Sequence, residues 1–260
     1  MRRLPTSVRP AACSASVQIS GLTVGYGDRA VLTGLDLDVP AGEILVVLGA
    51  SGCGKSTLLR TVVGLLQPES GTVTTDGRPV TGPGSDRALI FQDDALLPWR
   101  SARGNVEVPL ALRGVPRRER NRIAQDWLER VGLGEHGHRL PGQLSGGMRQ
   151  RVQLARALAG EPAVLCMDEP FGALDAQTRR AMQELLVATW RASLCTVLFV
   201  THDVDEALAI ADRIVVLGSG GAVREFAIAS PRASQPDTTL RATILAAIGG
   251  ADPSRQEVLS

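Results

Sequence analysis

Eight residues, Gly49-Ala50-Ser51-Gly52-Cys53-Gly54-Lys55-Ser56, match the pattern G-x-x-x-x-G-K-[ST] at every fixed position. Glycines at this spacing let successive backbone N–H groups turn toward a single anion. Lys55 adds a point charge suited to the β- and γ-phosphates of a nucleotide, and the Ser56 hydroxyl is a hard oxygen ligand suited to Mg²⁺. Further along, Asp168-Glu169 sets two carboxylates side by side. Downstream of such a loop they divide the labour: Asp168 holds a cation, directly or through water, and Glu169 polarises an attacking water. Gln92 and His202 each follow a short apolar run. Tyr26, the one tyrosine of the chain, reads either as a face on which adenine stacks or as a locally packed turn residue, and its position leaves the two even. Ser145-Gly146-Gly147 precedes a helix-like run and forms a second anion-ready turn. Alone it is a weak signal, because the same tripeptide makes ordinary linkers.

Each group needs an element to hold it. The apolar run 44–48 reads as a strand leading into the glycine loop, and 57–66 as a helix leading out, with Thr57 in its first turn. The loop therefore opens onto a helix N-terminus, with its unpaired N–H groups and the positive end of its dipole. Residues 88–91 form a strand that ends at Gln92. Residues 163–167 form another that ends at Asp168-Glu169, and 196–200 a third that runs into Thr201-His202-Asp203. The carboxyl ends of strands are where ligands bind in open α/β sheets. Upstream, Val17, Ile19, Leu22 and Val24 alternate with polar residues, and Val31, Thr33, Leu35, Leu37 and Val39 fall on one face, which predicts an antiparallel β layer. Residues 72–75 with Asp76-Gly77 predict a hairpin. Between 93 and 140 strand signals stop. Residues 105–113 and 117–131 read as helices, the second carrying Ile123, Trp127, Leu128 and Val131 on one face, and together they predict a helical subdomain inserted into the α/β core. Further helices are expected at 149–159, 178–191 and 204–211, and a strand at 214–217 with 223–228 as its hairpin partner. The nucleotide-binding domain is expected over 17–229. Residues 1–16, interrupted by Pro5 and Pro10, are expected to form a disordered tail without the apolar core of a secretory signal. The extension 230–260 has one helix-like piece at 240–248 and otherwise reads as loosely packed.

Composition narrows the function classes. Hydrophobic residues make up 44% and charged residues 21%, as in ordinary soluble domains, and a net charge of +1 disfavours nucleic acid or an anionic membrane as a bulk partner. Cys13, Cys53, Cys166 and Cys195 lack C-x-x-C spacing, which argues against a disulfide framework or a zinc site and suits a reducing compartment. Cys53 reads as a small residue of the glycine loop, with an exposed thiol there open to alkylation. No apolar stretch reaches the roughly 18 residues of a membrane-spanning helix, so work at a membrane would require docking onto another protein. There is no internal repeat, hence one nucleotide cassette.

Taken in order, these motifs resemble the ATPase subunits of ABC transporters over about residues 17–217. Gly49 to Ser56 is similar to the Walker A loop, Phe91-Gln92 to the Q-loop, and Leu144-Ser145-Gly146-Gly147-Met148 to the signature, with Met148 where glutamine is commoner. Residues 163–169 are similar to Walker B with its catalytic glutamate, Ala173-Leu174-Asp175 to the D-loop, and Thr201-His202-Asp203 to the switch-histidine loop. Tyr26 falls where the family keeps its adenine-stacking aromatic, which decides between its two readings. Thr81-Gly82-Pro83-Gly84, Leu96-Leu97-Pro98-Trp99-Arg100 and 168–175 resemble the nitrate/sulfonate/taurine group of bacterial importers.

The resemblance implies an α/β P-loop NTPase core with an antiparallel β subdomain and an inserted helical subdomain. It implies an ATP-hydrolysing enzyme that uses Mg²⁺ held by Ser56, Gln92 and Asp168. ATP would be bound by Tyr26, by Gly49, Ala50, Ser51, Gly52, Cys53, Gly54, Lys55 and Ser56, and by Thr57. Glu169 is implied as the general base, with His202 and Gln92 as its catalytic companions. Two copies are expected to pair head to tail, with Ser145, Gly146 and Gly147 of one closing on the ATP of the other and Asp175 bridging them. A membrane permease is expected to seat a short helix in a cleft near residues 92–100, with a solute-binding protein acting through it. The expected location is peripheral, at the cytoplasmic face of the membrane, and no nucleic-acid partner is expected. The alternatives are a soluble ABC ATPase acting on DNA or the ribosome, a non-catalytic regulatory subunit and half of an exporter. The solute itself is not written in this chain.

Overall fold

The computed structural model describes residues 14–92, 95–172, 174–229, 231–232 and 237–250. Residues 1–13 of the expected tail, 251–260 of the extension, Asp93 and Asp94 of the helical segment and Ala173 of the D-loop match lie outside the described residues. The chain begins with β1 (Val17–Tyr26), β2 (Arg29–Val39), β3 (Ile44–Leu48), α1 (Lys55–Val62), β4 (Ser70–Thr75), β5 (Arg78–Pro79) and β6 (Arg87–Ile90). It continues through α2 (Ala102–Leu112), α3 (Arg117–Arg130), α4 (Gly146–Ala159), β7 (Val164–Asp168), α5 (Ala176–Ser193) and β8 (Thr196–Val200). It ends with α6 (Val204–Ile210), β9 (Arg213–Leu217), β10 (Val223–Ala227) and α7 (Thr238–Gly250).

Six strands form one sheet in the order β10-β9-β3-β8-β7-β6, parallel except for β10, which returns antiparallel on β9. The continuous apolar runs of β3, β7, β8 and β9 follow from burial on both faces, as in parallel sheets covered on each side. Ile44, Val46, Leu48, Leu165, Met167, Val197 and Phe199 face a core shared with α2 to α7. Leu45, Val47, Val164, Cys166, Leu198 and Val200 face a second core shared with α1 and the small antiparallel sheet β2-β1-β4-β5. Asp76 and Gly77 take positive φ in the β4–β5 hairpin, which is what a tight two-residue turn between twisted strands requires.

The alternation expected over 31–39 is half right. Leu35, Leu37 and Val39 are buried, but so is Leu32, while Thr33 is exposed. The β1–β2 register shifts between Leu22 and Val24, and Gly34 takes φ +65°, so an irregularity in the ladder resets which residues face the core. Most helices also extend beyond the expected bounds, α2 starting at Ala102 and α4 at Gly146, because side chains of Ser101 and Ser145 cap their first turns.

Two expectations about the chain ends are corrected. Ala15 is buried and its carbonyl accepts from the Thr196 hydroxyl at 2.7 Å, while Ser16 N–H donates to Asp76 at 2.7 Å, so Ala15 and Ser16 are tied to the fold. The extension is not loosely packed where it is described. Ile244 and Ala247 of α7 are buried in the main core, and Arg232 stacks over the Trp190 ring at 4.4 Å while pairing with Asp212 at 2.9 Å. The helix-like piece at 240–248 is legible in the sequence, but the aromatic face and the carboxylate that receive Arg232 come from distant parts of the chain. Among the described residues no helix is long and apolar enough to cross a membrane.

Candidate active site

Strand register brings the chemistry together. Val200 pairs with Val47 on one side and Asp168 on the other, and Ile90 pairs with Met167. The segments leaving β3, β6, β7 and β8 therefore emerge beside one another at the carboxyl edge of the sheet. They carry the glycine loop, Gln92, Asp168-Glu169 and His202 respectively.

The glycine loop is held by geometry that larger residues cannot adopt. Gly54 takes φ +105° as the residue before α1, and a Cβ there would approach Leu32 Cδ2 to 2.5 Å. No side chain caps α1, so its first N–H groups remain available to an anion. Lys55 is 7% exposed, and its Nζ donates to the carbonyls of Gly49 at 2.8 Å and Ala50 at 2.9 Å, curling the loop around the ammonium. Cys53 is 8% exposed, and burial pushes its thiol pKa up against the pull of Lys55. The expectation of an exposed, alkylatable thiol is thus corrected: burial disfavours the thiolate that would react. Tyr26 ends β1 with 50% of its surface exposed, its hydroxyl accepting from Arg60 Nη1 at 3.0 Å.

At the neighbouring strand ends, Glu169 takes the left-handed φ of +43°, with its N–H donating to Val200 O at 3.0 Å. A non-glycine residue held there is strained, and such strain persists where the surroundings fix it. Glu169 Oε2 lies 3.0 Å from His202 Nδ1. An ionised carboxylate only accepts, so a hydrogen bond in this contact is donated by Nδ1–H. Asp168, the last residue of β7, is half-buried, and Gln92 is exposed after β6. Ser56, Gln92 and Asp168 offer a hydroxyl, an amide oxygen and a carboxylate, an all-oxygen set that fits Mg²⁺ in a site completed by phosphate and water.

Ser145, Gly146 and Gly147 stand at the start of α4, where Ser145 Oγ accepts from Met148 N–H at 3.3 Å. Ser145 and Gly146 are exposed, so this N-terminus is open to something outside the chain. A Cβ on Gly147 would approach Thr178 Cγ2 to 2.9 Å, so the glycine also allows α4 to pack beside α5. Asp175 caps α5, accepting from Thr178 N–H at 3.0 Å and Thr178 Oγ1 at 2.7 Å, and those bonds hold its carboxyl pKa below the ordinary value.

Several residues that sequence reasoning passed over support this edge. Arg179 donates to Asp203 at 3.2 Å and to Leu174 O at 3.0 Å, joining the turn before α5 to the turn that follows His202. Glu206 in α6 is 5% exposed and accepts from Gln183 at 3.2 Å. Burial pushes its carboxyl pKa up, opposed by bonds from Thr201 and Gln183. A raised folded pKa means that the native state binds more protons than the unfolded one above the ordinary carboxylate range. The associated stability is present at low pH and lost as pH rises through the folded value. Glu206→Gln should therefore raise Tm at pH 8 by roughly 2–4 °C, the shift given by about 1 kcal/mol in a domain of this size. Thermal scans of both proteins at pH 8 and near pH 4.5 check this; a Tm difference independent of pH would contradict it.

A groove of about 340 Å³ opens between β6, α2 and α4, lined by Ala88, Leu97, Val108, Pro109 and Ala157, with the strongly exposed Leu112 beside it. Its Leu97 belongs to the segment for which a docking cleft was expected.

Comparison with known proteins agrees with this arrangement. The ABC transporter family model matches residues 32–172. The taurine import ATP-binding protein TauB of Chromobacterium violaceum is 51% identical over 208 residues, covering 79% of this chain and 80% of that protein. TauB of Mesorhizobium japonicum is 54% identical over 194 residues, covering 74% and 76%. Among solved structures, the ATP-binding cassette MJ0796, a dimer in a post-hydrolysis state bound to ADP and Pi, superposes with a TM-score of 0.73 at 32% identity, covering 82% of this chain and 99% of that one. A glycine loop at a helix start, acids at a strand end of the same sheet and a family match through both make the conclusion direct: the chain belongs to the ABC transporter ATPases and has their P-loop NTPase fold.

Proposed function

We propose that this protein is the ATP-hydrolysing subunit of an importer for a small sulfonate of the taurine type, working beneath a separate membrane permease. The observation that carries the catalytic reading is the Glu169–His202 contact at 3.0 Å, at a strand end paired with the one beside the glycine loop. The names of the TauB relatives support the solute class.

In this reading ATP lies with its phosphates against the N-terminus of α1 and Lys55, and its adenine on Tyr26. Mg²⁺, held by Ser56 and Asp168 with Gln92, would neutralise developing phosphate charge. Glu169 accepts the proton of the attacking water. His202 orients Glu169 through Nδ1 and turns the other edge of its ring toward the γ-phosphate. The exposed Ser145-Gly146-Gly147 turn closes on the nucleotide of a second copy, head to tail, as the dimeric neighbour and the open helix N-terminus suggest. Asp175 meets the partner copy. The apolar groove beside Leu97 and Leu112 receives a short helix of the permease, which places the subunit peripherally at the cytoplasmic face and lets a solute-binding protein act through the permease.

The test is co-expression with a permease and a solute-binding protein of the taurine import type, followed by reconstitution in proteoliposomes. Taurine with its binding protein is expected to raise ATP turnover several-fold over the solute-free rate. Stimulation by DNA or ribosomes instead, with no permease bound, would overturn the importer reading and leave only the ATPase.

A further inference from the structure

Gln92 hangs from a segment that the sheet does not hold. The pairing of β6 with β7 stops at Ile90 opposite Met167. Beyond it, backbone carbonyls on either side of Gln92 are met by two side chains one turn apart on α4. Gln153, only 2% exposed, donates from Nε2 to Phe91 O at 3.3 Å, and Arg156 donates from Nη1 to Ala95 O at 2.8 Å. A second buried amide extends the attachment. Asn105 of α2 accepts from Leu97 N–H at 2.8 Å and donates to Leu97 O, Arg100 O and Ser101 O at 3.1–3.2 Å. The Phe91 and Ala95 carbonyls are thus bonded to α4, and the Leu97 to Ser101 stretch to α2, rather than to the sheet that carries Asp168 and Glu169.

We propose that Gln153 and Arg156, which belong to none of the motifs, are positioning residues for Gln92. They fix the Phe91 and Ala95 carbonyls to α4, so the orientation of α4 sets where the Gln92 amide lies relative to Asp168 and Glu169. Both side chains also line the apolar groove beneath α2. A permease helix seated in that groove would press on the two residues that aim Gln92. A buried amide is suited to this task, because losing its partner carries the full cost of an unmet polar group and the bond is therefore kept as the helix shifts. The inference rests on the ATPase reading above.

The test uses the purified full chain. Gln153→Met keeps the length of the side chain and removes the donor; Arg156→Met removes the guanidinium and keeps the aliphatic stem, and Arg156→Lys keeps a cationic donor. Both Met variants are expected to lower kcat for MgATP about 5- to 10-fold, with affinity for a fluorescent ATP analogue within about twofold and Tm close to wild type. Arg156→Lys should recover at least about half of the lost rate. The deciding measurement is a double-mutant cycle: Gln92→Ala with Gln153→Met should be no slower than Gln92→Ala alone, because residues acting through one group are not additive. Unchanged kcat in the Met variants, losses that multiply in the double variant, or a parallel fall in kcat, nucleotide affinity and Tm would each overturn the proposal. Should Gln153→Met not fold, the Arg156→Met and Arg156→Lys pair with its own Gln92 cycle decides. A wild-type chain without ATPase activity overturns this inference and the catalytic reading together, whereas an active wild type with unaffected variants overturns this one alone.

Discussion

Replacing Glu169 with Gln is expected to lower kcat for ATP hydrolysis by about 10²- to 10⁴-fold, the range that a positioned general base supplies, while nucleotide binding survives. The substitution is nearly isosteric. The Gln oxygen can still accept from His202 Nδ1, so the 3.0 Å contact and the left-handed turn at Glu169 remain possible. What is lost is the capacity to take a proton from water. Because binding persists without turnover, ATP should accumulate on the protein, and dimers held together by nucleotide should become visible by size-exclusion chromatography. Steady-state phosphate release and the elution volume in MgATP check both halves. A variant that keeps more than about a tenth of the wild-type rate would remove Glu169 from the role of base. The His202→Ala variant refines the result. If His202 acts by orienting Glu169, the double variant should be little slower than Glu169→Gln alone.

The second large effect concerns binding. Lys55→Met should weaken ATP affinity by about 10-fold to 10²-fold, since charge-assisted hydrogen bonds are worth about 1.5–3 kcal/mol each and about 1.4 kcal/mol is a factor of ten. The present partners of the ammonium, the Gly49 and Ala50 carbonyls, belong to the loop itself. The same donor is therefore free to exchange one of those oxygens for a phosphate oxygen without moving its backbone. Titration with a fluorescent nucleotide measures the affinity, and a thermal scan verifies folding. Affinity within about threefold of wild type would mean that Lys55 serves to shape the loop rather than to hold phosphate.

Much of this site is legible in the order of residues along the chain, for reasons that can be named. The glycine loop is local: eight consecutive residues contain its turn, its charge and its helix start. The strands that lead to Asp168 and His202 announce themselves as short apolar runs, because a parallel sheet covered on both faces needs no polar alternation. The order of motifs along the chain then identifies the family, which the family model and the relatives bear out.

Other features are products of contact across the chain. The slip at Gly34 depends on how β1 and β2 pair, and a period-two pattern read along one strand cannot show it. Arg232 reads as part of a loose tail until the fold sets Trp190 and Asp212, distant in sequence, around it. Cys53 sits in a loop made for solvent-borne phosphate yet is buried, since its side chain turns under the loop toward the second core. Arg179, Gln153 and Arg156 carry no spacing signal, because their partners are backbone carbonyls or a capping carboxylate whose positions exist only after folding. Local order along the chain was enough to specify the glycine loop, the carboxylates at a strand end and the helices and strands that bear them. The tertiary structure alone decided which polar side chains hold the catalytic segments in place, because those hydrogen bonds join residues tens of positions apart whose meeting is set by strand register and helix packing, not by local spacing.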